Sequence, residues 1–128
     1  MGAKITGADE LIHDFEYAAE HVVDETQKVV KRGAQNIKRD TQAKWAGARY
    51  APSLAAAVTY DVDVLSSSVR AQIGPDKAKR QGALGNIYEY GVPGTAPQPA
   101  LSPALDAEEP RFVKALEDMA ANLLDGKR

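Results

Sequence analysis

The chain has 128 residues with 44% hydrophobic and 27% charged side chains and a formal net charge of -2, the profile of one ordinary globular domain. That balance gives no global reason to bind nucleic acid or an anionic membrane. The absence of cysteine excludes disulfide frameworks, thiolate metal sites and cysteine nucleophiles. Only 6% of residues are aromatic, so a core made mostly of Ala, Val and Leu is expected to be thin.

No apolar run is long enough to span a bilayer. The opening MGAKITGADE lacks the basic-then-apolar order of a secretion signal, so folding in the cytoplasm of the producing cell is expected. Thr6 and Asp9 have capping-box spacing and predict a helix start. Leu11, Phe15, Ala18, Val22, Thr26, Val29, Gly33 and Ile37 then recur at steps of three and four, one face of a helix. The stripe predicts a helix from Ala8 to Trp45, either unbroken or interrupted near Gly33. Its charge is split. Met1 to Glu25 holds seven acids against Lys4, and Thr26 to Trp45 holds six bases against Asp40. This order suits the helix dipole, and it also suits a bipolar bar whose acidic end meets a neighbour's basic end. Asp24 and Lys28 have the favourable ion-pair spacing.

Gly47 and Pro52 mark residues 46–53 as a connector. Val58, Tyr60, Val62 and Val64 alternate with Thr59, Asp61 and Asp63, and Val69, Ala71 and Ile73 alternate with Ser68, Arg70 and Gln72. These runs predict an antiparallel hairpin, covered on one face and wet on the other, with Arg70 across from the strand acids. Gly74-Pro75-Asp76 is a turn leading into a basic loop with Lys77, Lys79 and Arg80. That loop is read either as a mobile solvated segment or as a contact for DNA phosphates or an acidic partner. Residues 81–91 fit a strand or a short helix. Residues 91–100 hold three prolines and two glycines and exclude regular structure. Ser102 as cap and Pro103 at the first helical position predict a helix start, and Pro110 is expected to interrupt or kink it. Phe112, Leu116, Met119, Ala120 and Leu123 form its apolar stripe, and Gly126, Lys127 and Arg128 suit its end.

The expected architecture is a single α+β domain over residues 1–128: a helical arm (1–50), a β-hairpin or small antiparallel sheet with its Gly/Pro loop (51–101), and a C-terminal amphipathic helix (102–128). Motifs for chemistry are missing. The two histidines, His13 and His21, share one helix. Glu10 and His13 have Glu-x-x-His spacing, yet no second copy exists to complete a di-metal site, so no metal is expected. No serine lies in a nucleophile elbow, and Gly82, Gly85, Gly91 and Gly94 follow no phosphate-binding pattern. Glu89 is a lone carboxylate. No enzyme activity and no cofactor are expected.

The stretch Asn86-Ile87-Tyr88-Glu89-Tyr90-Gly91, followed by Pro97-Gln98-Pro99-Ala100-Leu101-Ser102-Pro103-Ala104-Leu105, resembles a signature of the phage neck and tail-completion family. These are minor structural proteins of long-tailed double-stranded DNA bacteriophages. Their pattern runs Tyr…Glu-(Phe/Tyr)-Gly…Pro-x-Pro-(Phe/Leu)-x-x-Ala, after an N-terminal helical segment, an Ala-Pro connector and a hairpin. The connector here is Ala51-Pro52-Ser53-Leu54, without the usual Thr-Gly, and Ala100-Leu101 stands where Phe is usual. The resemblance implies a ring, commonly six-fold, in the virion between head connector and tail tube. Its partners would be sister copies, the neighbouring connector, stopper, tail-terminator or tail-tube proteins, and the DNA passing non-specifically through the lumen. Tail terminator and head-side stopper are rival roles in the same neck. In this reading Tyr88, Tyr90, Pro97, Pro99 and Leu101 anchor the loop on the last helix or across the subunit interface. Glu89 accepts loop amides beside Gly91, and Asp61 and Asp63 line the channel. The rival from another class is a small nucleic-acid-binding module using Lys77, Lys79, Arg80 and the basic helix half.

Overall fold

A computed structural model describes residues 8–66 and 68–125, with backbone alone for 8–12. Helix α1 runs from Ala8 to Trp45, 38 residues, or about 57 Å at a rise of about 1.5 Å per residue. The connector contains one short helical turn, α2 (Leu54–Ala57), which feeds directly into strand β1 (Val58–Val64). Strand β2 (Val69–Pro75) returns antiparallel, pairing Val58 with Pro75 and Val64 with Val69. A 3-10 turn (Gly82–Leu84) precedes helix α3 (Gly85–Tyr90), and helix α4 (Leu101–Leu124) ends the fold. The architecture is α+β, as the hydrophobic periodicities predict.

Helix α4 lies antiparallel along α1. Glu108 meets Asn36, Gly33 faces Phe112, and Thr26 meets Met119. The hairpin packs its Val58, Tyr60 and Val62 side against the same helix, and Lys38 Nζ sits 5.8 Å above the Tyr60 ring. The densest core is at the C-terminal end of α1. Trp45, 1% exposed, is surrounded there by Ala48, Ala51, Leu54, Val58 and Ala100, with Ile73, Leu84, Tyr88 and Leu101 around them. Its indole N–H donates to the Gln98 carbonyl at 3.0 Å, which satisfies the one polar atom of the ring.

The structure decides the readings that the sequence left open and corrects others. Gly33 does not break α1. Its cost in propensity, about 1 kcal/mol, is offset by the packing of Phe112 and Glu108 over it. Pro110 does not interrupt α4. It lies on the exposed face, as does Asp106, whose freed carbonyl can turn to water. Residues 82–90 are helical, and among the described residues the sheet has two strands, with only an isolated bridge between Val92 and Thr95 beyond it. Lys28 pairs with Glu25 at 3.1 Å rather than with Asp24. The Thr6–Asp9 capping box and the Gly126–Arg128 terminus lie outside the described residues and side chains.

Candidate functional site

The tyrosine-flanked acid of the signature becomes a helix cap. Helix α3 directs Glu89 inward, where it is 5% exposed. Its Oε1 accepts the backbone N–H groups of Ala100 (2.9 Å) and Leu101 (2.8 Å), and its Oε2 accepts that of Ser102 (3.1 Å). Pro103 has no N–H to satisfy, and Ala104 N–H begins the helical ladder by donating to Ala100 C=O at 3.1 Å. The orphan donors at the start of α4 are thereby closed, and a carboxylate sits at the positive end of the helix dipole. Ser102, the cap expected from the sequence, makes no capping bond, because Glu89 already holds the position from outside the helix.

The loop between α3 and α4 is tied from several sides. Gly91 has φ 75° and ψ 174°, a conformation essentially reserved for glycine, and an added Cβ would lie 2.9 Å from the Thr95 carbonyl oxygen. Val92 and Thr95 bridge each other's backbone, and Gln98 N–H donates to Tyr88 C=O at 2.6 Å. The Tyr88 hydroxyl accepts Tyr50 N–H at 3.2 Å. Gly85 lies so close to the Pro75 ring that a methyl there would collide with it, which packs α3 against the end of β2. Tyr88 and Leu101 therefore anchor the loop within one subunit, against the core at Trp45. Tyr90 is 75% exposed, and Pro97 and Pro99 are exposed as well, so these three lie outside the core.

Lys77, Lys79 and Arg80 are exposed and form no ion pair among the described residues. Their loop is pinned at its base, not free. Asp76 N–H donates to Ala57 C=O, Asp76 Oδ1 accepts Ala78 N–H, and Gln81 Oε1 accepts Ser53 N–H at 2.6 Å. Gln81 holds a left-handed φ of 62°. Asp61 lies across from Gln72 and is exposed, whereas Asp63 faces Arg70 and pairs with it at 3.4 Å. The outer sheet face thus keeps one unpaired acid instead of two. His13 is exposed, and the Glu10 side chain lies outside the described residues. No group of three metal-ligating side chains exists among the described residues.

Two features have only a faint trace in the sequence. Glu108 is 4% exposed between α1 and α4. Asn36 Nδ2 donates to its Oε1 at 3.0 Å, and Arg111 Nη2 lies 3.1 Å from its Oε2, an ion pair without hydrogen-bond geometry. The signal was its place four residues after Ala104 and four before Phe112, on the apolar stripe. The second feature is an apolar groove of about 450 Å³ between β2 and α4, floored by Val30 and Ile37 and walled by Ile73, Leu105 and Val113. It depends on how three elements converge, which no local pattern encodes.

No protein-family model matches the chain, and neither a curated protein nor a solved structure matches it. No described helix is long and apolar enough to cross a membrane.

Proposed function

We propose that the chain is a structural subunit of the head–tail junction of a long-tailed double-stranded DNA bacteriophage. It acts as one copy of a ring that completes or joins the tail and lets DNA pass. One observation carries the reading: the subunit buries little and displays much. Its largest fully buried side chains are Trp45, Leu54, Val58 and Thr41. Phe15, Val22, Val23, Leu105, Val113 and Leu124 are exposed, an apolar groove is open beside β2, and the two-stranded sheet leaves both outer edges unpaired among the described residues. Apolar surface on that scale is the mark of a component that finishes its core against partners.

The signature supports the same reading through its physics. Glu89, Gly91 and the Pro97–Pro103 segment hold the start of α4 rigidly on the Trp45 core, a fixed frame on which an assembly surface can be built. A ring closes only through a head-to-tail interface between two different patches of each subunit. The outer face of β1, with Asp61, is the candidate lumen lining, since like charge keeps DNA from sticking. The function asked of the chain is architectural, with no catalytic residue, metal or cofactor.

The test is made on the particle. In a phage encoding this chain, mass spectrometry of purified virions should find the polypeptide in a small fixed number of copies. Disruption of its gene should yield filled heads and tails that fail to join. Virions that lack the chain, or infectious particles assembled without it, would refute the proposal.

A further inference from the structure

The subunit has two surface patches of opposite character. Near the middle of α1, the hairpin tip stands beside the helix and the two enclose a cleft of about 250 Å³, lined by Val22, Val23, Leu65 and Val69. Val22, Val23 and Leu65 are exposed. Glu16 and Glu20 stand seven and three residues before Val23, on the same flank of the helix. Neither takes part in an ion pair among the described residues.

The second patch, beyond the C-terminal end of α1, is apolar and basic. Tyr50 and Tyr90 are 77% and 75% exposed, and Val92, two residues after Tyr90, is exposed as well. Arg49 lies over the Tyr50 ring at 5.5 Å. Lys77, Lys79 and Arg80 belong to this same end, because Gln81 bonds Ser53 and Gly85 abuts Pro75. Arg49 and these three cations also form no ion pair among the described residues.

We infer that the apolar cleft of one copy, flanked along α1 by Glu16 and Glu20, receives the tyrosine-bearing basic end of a second copy. This rests on the ring reading above and names the two patches that meet. Three considerations select a sister copy as the occupant. The two surfaces are of opposite charge on one chain, so each copy carries both halves of the contact. Each half pairs an apolar centre with a charged rim, the anatomy of a specific protein interface. The patches differ from each other and stand apart on the subunit, one near the middle of α1 and one beyond its C-terminal end, so the contact is heterologous and propagates toward a ring or a filament. Exposed tyrosines also suit the centre of such a contact, since they bury much area with few rotors.

The test is a charge swap read by sedimentation velocity. The full chain should self-associate at low salt, and added salt should weaken this as the rims are screened. Glu16→Lys with Glu20→Lys should weaken association at least ~tenfold, and so should Lys77→Glu with Lys79→Glu and Arg80→Glu. An equimolar mixture of the two variants should associate again, because each retains the patch that the other has lost. All five positions are exposed, and circular dichroism checks that both variants fold. A wild-type chain that stays monomeric at high concentration overturns the inference, as does a mixture that fails to recover. A basic-end variant that associates normally but loses salt-sensitive duplex-DNA binding overturns it too, and reassigns the loop to phosphate contact. These failures leave the particle test untouched, so the two ideas fall separately.

Discussion

Replacement of Glu89 by alanine tests the reasoning most directly. The substitution removes an acceptor shared by three backbone donors, those of Ala100, Leu101 and Ser102. Loss of a cap alone costs about 0.5–2 kcal/mol. Here the cap is charged and sits at a helix N-terminus, which adds up to about 2 kcal/mol in a partly buried geometry. Ala100 is buried, so its N–H is left without water, a penalty of about 1–3 kcal/mol. These contributions overlap, and a total near 4 kcal/mol is expected, a large share of the roughly 5–15 kcal/mol that holds a domain together. Glu89→Gln keeps one oxygen for Ala100 and Leu101 but loses the charge and turns an amide toward Ser102, so about half that loss is expected. Urea unfolding followed by circular dichroism reads both values at constant m. Ser102→Ala is the control. Ser102 caps nothing, so its loss should stay within about 0.5 kcal/mol. A Glu89→Ala loss under about 1 kcal/mol, or a Ser102→Ala loss exceeding it, would show that α4 is not started from outside.

Three further outcomes follow from the same geometry. Gly33→Ala should stabilise the chain by about 0.5–1 kcal/mol, because the added methyl meets nothing closer than Phe112 Cδ1 at 3.6 Å; a lower melting temperature would refute this. Gly91→Ala should cost about 1–3 kcal/mol or more in chemical denaturation, since its φ of 75° and the nearby Thr95 oxygen both oppose a side chain. Trp45→Phe should cost about 2–4 kcal/mol, because it shrinks the largest fully buried side chain and leaves the Gln98 carbonyl unpaired. The loss should be read against wild type in the same urea titration, and a change under 1 kcal/mol would contradict Trp45's place at the centre of the core.

Much of the fold was legible because its signals are local. The α1 stripe repeats at helical spacing through Ile37, and the β1 and β2 alternations place Asp63 opposite Arg70. Such patterns depend on the side-chain period of a helix or a strand, and the period is written along the chain. The misreadings and the readings left open share a different cause. Ser102-Pro103 carries the local chemistry of a helix start, but the cap comes from Glu89, thirteen residues earlier. Pro110 and Gly33 carry the local chemistry of helix breakers, and each is tolerated because α4 and α1 pack along their length. Residues 82–91 fit two periods equally, and contact of Gly85 with Pro75 accompanies the helix. In the candidate site the acid and its proline-rich successor stood out as a unit, whereas the exposure of Tyr90, Pro97 and Pro99 did not.

Sequence alone determined the α+β composition, the amphipathic faces, the charge polarity of α1 and the lack of any motif for chemistry, since each is a matter of residue type and spacing. Tertiary structure alone decided that Glu89 closes the start of α4, that Glu108 is buried between two helices, and which apolar side chains remain uncovered. The physical reason is that caps, buried charges and open grooves are made by groups far apart in the chain, and only packing brings them within bonding distance.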